Sequence, residues 1–131
     1  TYFNHPVKAV HIACAESNST KYSFTDASLY INGTALFENM THEYHNKVVP
    51  SRHCSVLPEV LSVEPVTSWP FCLTMNKSQP TGTLNFSRID NAKITINGGT
   101  SGATPAALRA YAVNYNILRI KNGMGGVAFG N

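Results

Sequence analysis

Charge is what this sequence has least of. Across 131 residues only 13% are Asp, Glu, Lys or Arg, where a soluble domain usually carries about a quarter. A surface so short of charge must be neutral polar or in contact with something. Asn, Ser, Thr and Gly fill the gap, and these residues favour strands joined by turns over long solvated helices. The Lys and Arg residues are spread singly, for a net charge of +3, and no basic run is present to follow a phosphate backbone, so nucleic-acid binding is not supported. No apolar stretch approaches the roughly 18 residues of a membrane span, which argues against direct membrane insertion, and no signal-peptide pattern opens the sequence. The three cysteines, Cys14, Cys54 and Cys72, are an odd number without Cys-x-x-Cys or Cys/His ligand spacing. A disulfide framework or zinc site is therefore not expected, and buried free thiols in a reducing compartment are. The length bounds the chain to one domain with one core, residues 1–131. Its first residue is Thr1 rather than Met, so a fragment or processed form is expected.

What is present reads as short strands. Val7–Ala15 is an apolar, β-branched run, entered through Asn4-His5-Pro6, which forces extended backbone. Phe24–Ile31 alternates, with Phe24 expected to face away from Leu29 and Ile31, and Asn32-Gly33 is a strong turn signal. Thr34–Pro65 reads as a long irregular excursion, with at most short strands near Cys54–Leu57 and Val60–Val63. Trp69–Met75 puts Phe71, Leu73 and Met75 on one face, and Pro70 argues for an edge or a strand start. Gln79–Gly82 is a turn, Thr83–Phe86 and Ala92–Ile96 are strands, and Asn97–Thr104 is a flexible loop. Arg109–Ile120 is the most regular part, with Tyr111, Val113, Tyr115 and Ile117 alternating against Ala110, Ala112, Asn114 and Asn116. That pattern predicts a core strand whose Asn side chains satisfy neighbouring backbone groups. Gly123, Gly125 and Gly126 lead into a last strand, Val127–Phe129. The whole predicts an all-β fold of about eight short strands, with no convincing helix and no internal repeat, a jelly-roll β-sandwich.

Residues that often carry chemistry do not assemble here. His42-Glu43-Tyr44-His45 lacks the i, i+4 spacing of a metalloprotease helix, and His42, His45 and His53 fall in the irregular excursion, where surface or loop histidines are expected rather than ligands. No catalytic residue, metal or cofactor is expected. The glycines near the end are not a phosphate loop, because no helix with Lys-Ser/Thr follows; Gly125-Gly126 is read instead as permitting close backbone approach between strands or subunits. Sequons occur at Asn18, Asn32, Asn39, Asn76 and Asn85; Asn18, Asn32 and Asn39, in turns or loops, are the candidate glycosylation sites, whereas Asn85 lies in a strand motif and is expected to be unmodified.

Three separated segments are more specific. They are Phe3-Asn4-His5-Pro6-Val7-Lys8, then Gln79-Pro80-Thr81-Gly82-Thr83-Leu84-Asn85-Phe86-Ser87-Arg88-Ile89-Asp90, then Tyr111–Ile120 followed by Gly123-Met124-Gly125-Gly126-Val127-Ala128-Phe129. In order and spacing they resemble the signature segments of the major capsid proteins of nucleocytoplasmic large DNA viruses, the phycodnavirus, iridovirus and mimivirus group. The resemblance runs across nearly the whole chain and fits the second of the two jelly rolls those proteins carry. It implies the C-terminal part of a longer capsid protein, a structural and non-enzymatic subunit. Its partners would be copies of itself in trimeric, pseudo-hexagonal capsomers, then neighbouring capsomers and minor capsid proteins of an icosahedral shell. Its place would be the virion capsid, assembled in the infected host cell. The sequence departs from the family at AVHIACA after Val7-Lys8, where an acidic residue and an aromatic are usual, and over Ala35–Ser55.

Within these segments Pro80 and Gly82 are expected to turn the chain into a strand, with Leu84 and Phe86 pointing to the core. Arg88 and Asp90, two apart on one strand face, are candidate structural or interface residues together with Arg119. A different reading is a jelly-roll carbohydrate-binding module, with Trp69 and the tyrosines as sugar platforms. A cupin-like metalloenzyme is a third, opposed by the histidine spacing.

Overall fold

The computed structural model describes residues 3–14, 24–55, 66–98 and 108–130. Every strand pairing in them is antiparallel. The β-branched run near the start forms β1 (Pro6–Cys14), and it is the centre of the first sheet. Along one edge β1 pairs with β7 (Leu108–Asn114). Two short strands share its other edge: β4 (Thr67–Pro70) lies opposite Ala9–Ile12, and β5 (Leu84–Asn85) lies opposite Pro6 and Val7. In the second sheet β2 (Asp26–Ile31) is flanked by β3 (Thr34–Thr41) and β6 (Ala92–Asn97). A separate hairpin joins β8 (Leu118–Lys121) to β9 (Met124–Val127).

The core collects Val7, Val10 and Ile12 of β1, Phe24, Ala27 and Leu29 around β2, and Trp69, Phe86 and Ala92. Val10 lies directly opposite both Trp69 and Ala112, so these three share one sheet face. A register shift between Val7 and Ala9 changes the phase of the strand, as a bulge does, which brings Val7 and Val10 into the same cluster despite their odd spacing. Lys8 is buried beside it; its Nζ donates to the Lys77 carbonyl and sits 5.8 Å from the centre of the Tyr115 ring. Both strand-joining turns at Asn32-Gly33 and Asn122-Gly123 place their two residues at positive φ (48° and 83°, 53° and 76°). That is the type I′ geometry, which Asn-Gly adopts at little steric cost.

Several expectations are corrected by the fold. The excursion after Thr34 holds a full strand, β3, followed by a helical segment, a π-helical turn over Tyr44–Val48 running into α1 (Val49–His53). Pro50 is accommodated there in the first turn of α1, where its missing N–H has no intrahelical partner to lose. Phe24 precedes β2 and is buried in the same cluster as Leu29 rather than facing away from it. The strand at Trp69 ends at Pro70, and the chain bends where Phe71, Leu73 and Met75 were expected to alternate, leaving Leu73 exposed. Among the described strands β4 borders only β1, the edge position that suits Pro70. After β5, Phe86–Arg88 is a 3-10 turn capped by the Asn85 Oδ1, which accepts from the Ser87 N–H at 3.1 Å. Phe86 is buried in the core, but Arg88 and Asp90 are not on a common strand face. The last strand is Met124–Val127 instead of Val127–Phe129, and it contains Gly125 and Gly126. Cys54 and Ser55 are not in a strand, and the rest of the strands expected near Cys54–Leu57 and Val60–Val63 lies outside the described residues, as does Asn18.

Candidate functional site

The most exposed apolar surface is built by β7 and the β8–β9 hairpin. In the hairpin, Leu118 lies opposite Val127 and Ile120 opposite Gly125, so Leu118, Ile120 and Val127 share one face; Arg119 and Lys121 share the other. Leu118, Ile120 and Met124 are 70%, 71% and 74% exposed, and Ile117, Val127 and Phe129 are also open to solvent. On β7, Tyr111 and Val113 are exposed while Ala112 packs against the core. The alternation that predicted a core strand is thus real as far as Asn114, where β7 ends, but Tyr111 and Val113 point outward, whereas Tyr115 beyond the strand is partly buried with its hydroxyl shielded. The Asn part of the same expectation holds. Asn116 donates from Nδ2 to the Phe129 carbonyl at 2.8 Å and accepts at Oδ1 from the N–H groups of Ile117 and Phe129, at 2.8 and 3.2 Å. This pairing closes the base of the hairpin. A Cβ added at Gly126 meets nothing within 4 Å and one at Gly125 meets only Ile120 Cγ1 at 3.9 Å, so close strand approach within this chain does not require either glycine.

Arg88, Asp90 and Arg119 are all exposed. Arg88 and Asp90 belong to the turn between β5 and β6, whereas Arg119 belongs to the hairpin. Among the sequons, Asn32 and Asn39 are exposed and both at positive φ. The Asn32 Oδ1 accepts from the N–H groups of Asp90 and Asn91, each at 3.1 Å, and ties the β2–β3 turn to the strand entry of β6. The Asn39 N–H donates to Ser28 Oγ at 2.9 Å. Asn85 is exposed too, its side chain spent on the cap of the following turn.

Two expectations about chemistry fail on burial. Trp69 is 0% exposed, so it offers no platform to a sugar. His42 and His45 are buried rather than at the surface. His45 stacks on Trp69, and its Nδ1 donates to the Ser68 carbonyl at 3.2 Å; the neighbouring Asn46 Nδ2 donates to the Val66 carbonyl at 2.8 Å. These two side chains occupy carbonyls on the border of β4 that faces away from β1, where a further strand would otherwise pair. Burial pushes the Cys54 and Cys72 thiols up from their ordinary range, which keeps both protonated and weakly nucleophilic. Among the described residues, no group of three or more His, Cys, Asp and Glu is gathered as a metal site requires, and no helix is long and apolar enough to cross a membrane.

Residues 3–126 match the model of the large eukaryotic DNA virus major capsid protein family. The major capsid protein of Phaeocystis pouchetii virus is 40% identical over 80% of this chain and 20% of its own length, and that of Pyramimonas orientalis virus is 33% identical over 98% and 38%. The chain thus spans between a fifth and two fifths of these relatives. Among solved structures, PBCV-1 VP54, fitted into a reconstruction of the virophage Sputnik, superposes with a TM-score of 0.82 at 25% identity, over 100% of this chain and 45% of VP54. The two antiparallel sheets are a jelly roll, and the chain belongs to the family of large eukaryotic DNA virus major capsid proteins.

Proposed function

We propose that this chain is the C-terminal jelly roll of a longer major capsid protein and works without catalysis, through surfaces that fit other jelly rolls in a virion shell. The observation that carries the reading is the exposed apolar surface of β7 and the β8–β9 hairpin. Large apolar side chains left this open on a small domain mark contact with a partner, and the low charge content of the sequence fits burial in an assembly. The first jelly roll of the same polypeptide and the neighbouring chains of a trimeric, pseudo-hexagonal capsomer are the occupants, with adjacent capsomers and minor capsid proteins beyond. Arg119, on the hairpin face opposite Leu118 and Ile120, supplies a charged rim, and Arg88 with Asp90 a second polar contact. The sequons at Asn18, Asn32 and Asn39 are the glycan attachment points, and of these Asn32 and Asn39 are exposed.

The test is Leu118→Lys together with Ile120→Lys in the complete polypeptide, followed by light scattering and circular dichroism. Both side chains are about seven-tenths exposed, so the fold should persist with a loss under about 1 kcal/mol while the trimer dissociates. A variant that still assembles as the parent does would overturn the assignment of this face.

A further inference from the structure

The helical segment that covers the border of β4 carries an imidazole in a setting that admits one charge state. His45 is wholly shielded from solvent. It lies face to face with Trp69, ring centroids 4.4 Å apart and planes at 30°, and meets Phe37 of β3 and Tyr44 edge-on at 5.8 and 5.3 Å. A carbonyl only accepts, so the contact with the Ser68 oxygen fixes the proton on Nδ1 and leaves Nε2 as a bare lone pair. Among the described residues that Nε2 has no hydrogen-bond partner. A second proton would create a buried N–H without an acceptor and a cation among aromatic rings. Attraction to the Trp69 face offsets only part of such a cost.

Among the described residues, nothing charged nearby relieves it. β4 contributes no titratable group. On β3, Glu38 is exposed. On the segment itself Glu43, Lys47 and Arg52 are exposed, and His53 turns its Nδ1 to the Leu73 carbonyl at 3.1 Å. His42, edge-on to Phe24 at 4.9 Å, is a second buried imidazole whose charge would repel that of His45. His11 of β1 lies on the far side of the same serine, its Nδ1 2.8 Å from Ser68 Oγ.

We propose that His45 is an acid-operated latch: neutral, it holds the helical segment Tyr44–His53 against the border of β4, and doubly protonated, it releases that segment. Burial holds His45, His42 and His11 below the ordinary imidazole range. A histidine depressed in the folded state stabilises it above the unfolded value of about 6.5, and that stability drains away as the pH falls below this value. The latch therefore opens on acidification and closes again at neutral pH.

Trp69 is the only tryptophan, so its fluorescence reads the latch directly. The chain is titrated from pH 8 to pH 4.5 while acrylamide quenching of Trp69 and the far-ultraviolet dichroism are followed. Expected is a reversible rise in quenching of at least threefold below pH 6.5, with strand content retained, and its loss in His45→Gln, which keeps an N–H donor for Ser68 but cannot be charged. The same transition in His45→Gln, or none in the parent, overturns the proposal. Should His45→Gln fail to fold, the His45 ring is followed by NMR in the parent. Titration in step with Trp69 exposure supports the latch; titration at the ordinary imidazole value with Trp69 still shielded refutes it.

Discussion

Replacing Asn32 with alanine removes two supports from one turn. The Oδ1 that accepts from the N–H groups of Asp90 and Asn91 disappears, and a residue at φ 48° becomes one that resists the left-handed region. The two hydrogen bonds lie at the surface, where each is worth about 0.5 kcal/mol, the low end of the usual net range. Forcing alanine into left-handed backbone adds about 1 kcal/mol. The expected loss is therefore about 2 kcal/mol, read from urea denaturation as a lower midpoint with an unchanged slope. Asn32→Gly separates the parts: it restores the backbone freedom, not the acceptor, and should lose about half as much. Asn32→Asp keeps the acceptor and should stay within about 0.5 kcal/mol of the parent. Because a glycan attaches to Nδ2 and leaves Oδ1 in place, Asn32→Asp also removes the sequon without loosening the turn. An alanine variant as stable as the parent, or a glycine variant no better than the alanine one, would refute this account.

Two further substitutions probe the packing. At Gly98 φ is +75° and an added Cβ would lie 2.3 Å from Thr25 Oγ1 and 3.2 Å from the Thr25 N, so Gly98→Ala should destabilise the fold through both strain and a clash, by about 2 kcal/mol or more, read as a lower melting temperature. Phe86→Ala empties the position where Phe3 and Phe71 meet the Phe86 ring, each at 5.8 Å between centroids, and should cost about 3–5 kcal/mol in the denaturation midpoint; a loss under 1 kcal/mol would show that the site collapses without strain.

How far the sequence announces this structure depends on where each segment's cover comes from. β1 and the Asn32-Gly33 turn are legible because an apolar β-branched run and an Asn-Gly pair are local signals, and Asn122-Gly123 carried the same signal unread. β3 was illegible because its apolar residues fall on both faces: Phe37 packs against the core while Leu36 is half exposed. The helical segment has too few turns for a 3.6-residue period to emerge, and Pro50 reads as a breaker although the first turn tolerates it. On β7 the period of two reports a strand truthfully, yet it is silent about which face is covered. The border of β4 was beyond reach altogether, since it depends on His45 and Asn46 meeting carbonyls some twenty residues away.

The placement of β1 at the centre of its sheet has a kinetic side. Cys14 must wait for Leu108, and Val7 for Asn114, before the strand gains its longest neighbour. On a ribosome adding residues at about 5–20 per second, β1 emerges early and stays half-paired for several seconds, its apolar face open to any other nascent chain. Loops of this length close slowly, so the yield of folded subunit should fall as synthesis becomes more crowded. A host cell making this chain in quantity would feel that first as a demand on its chaperones.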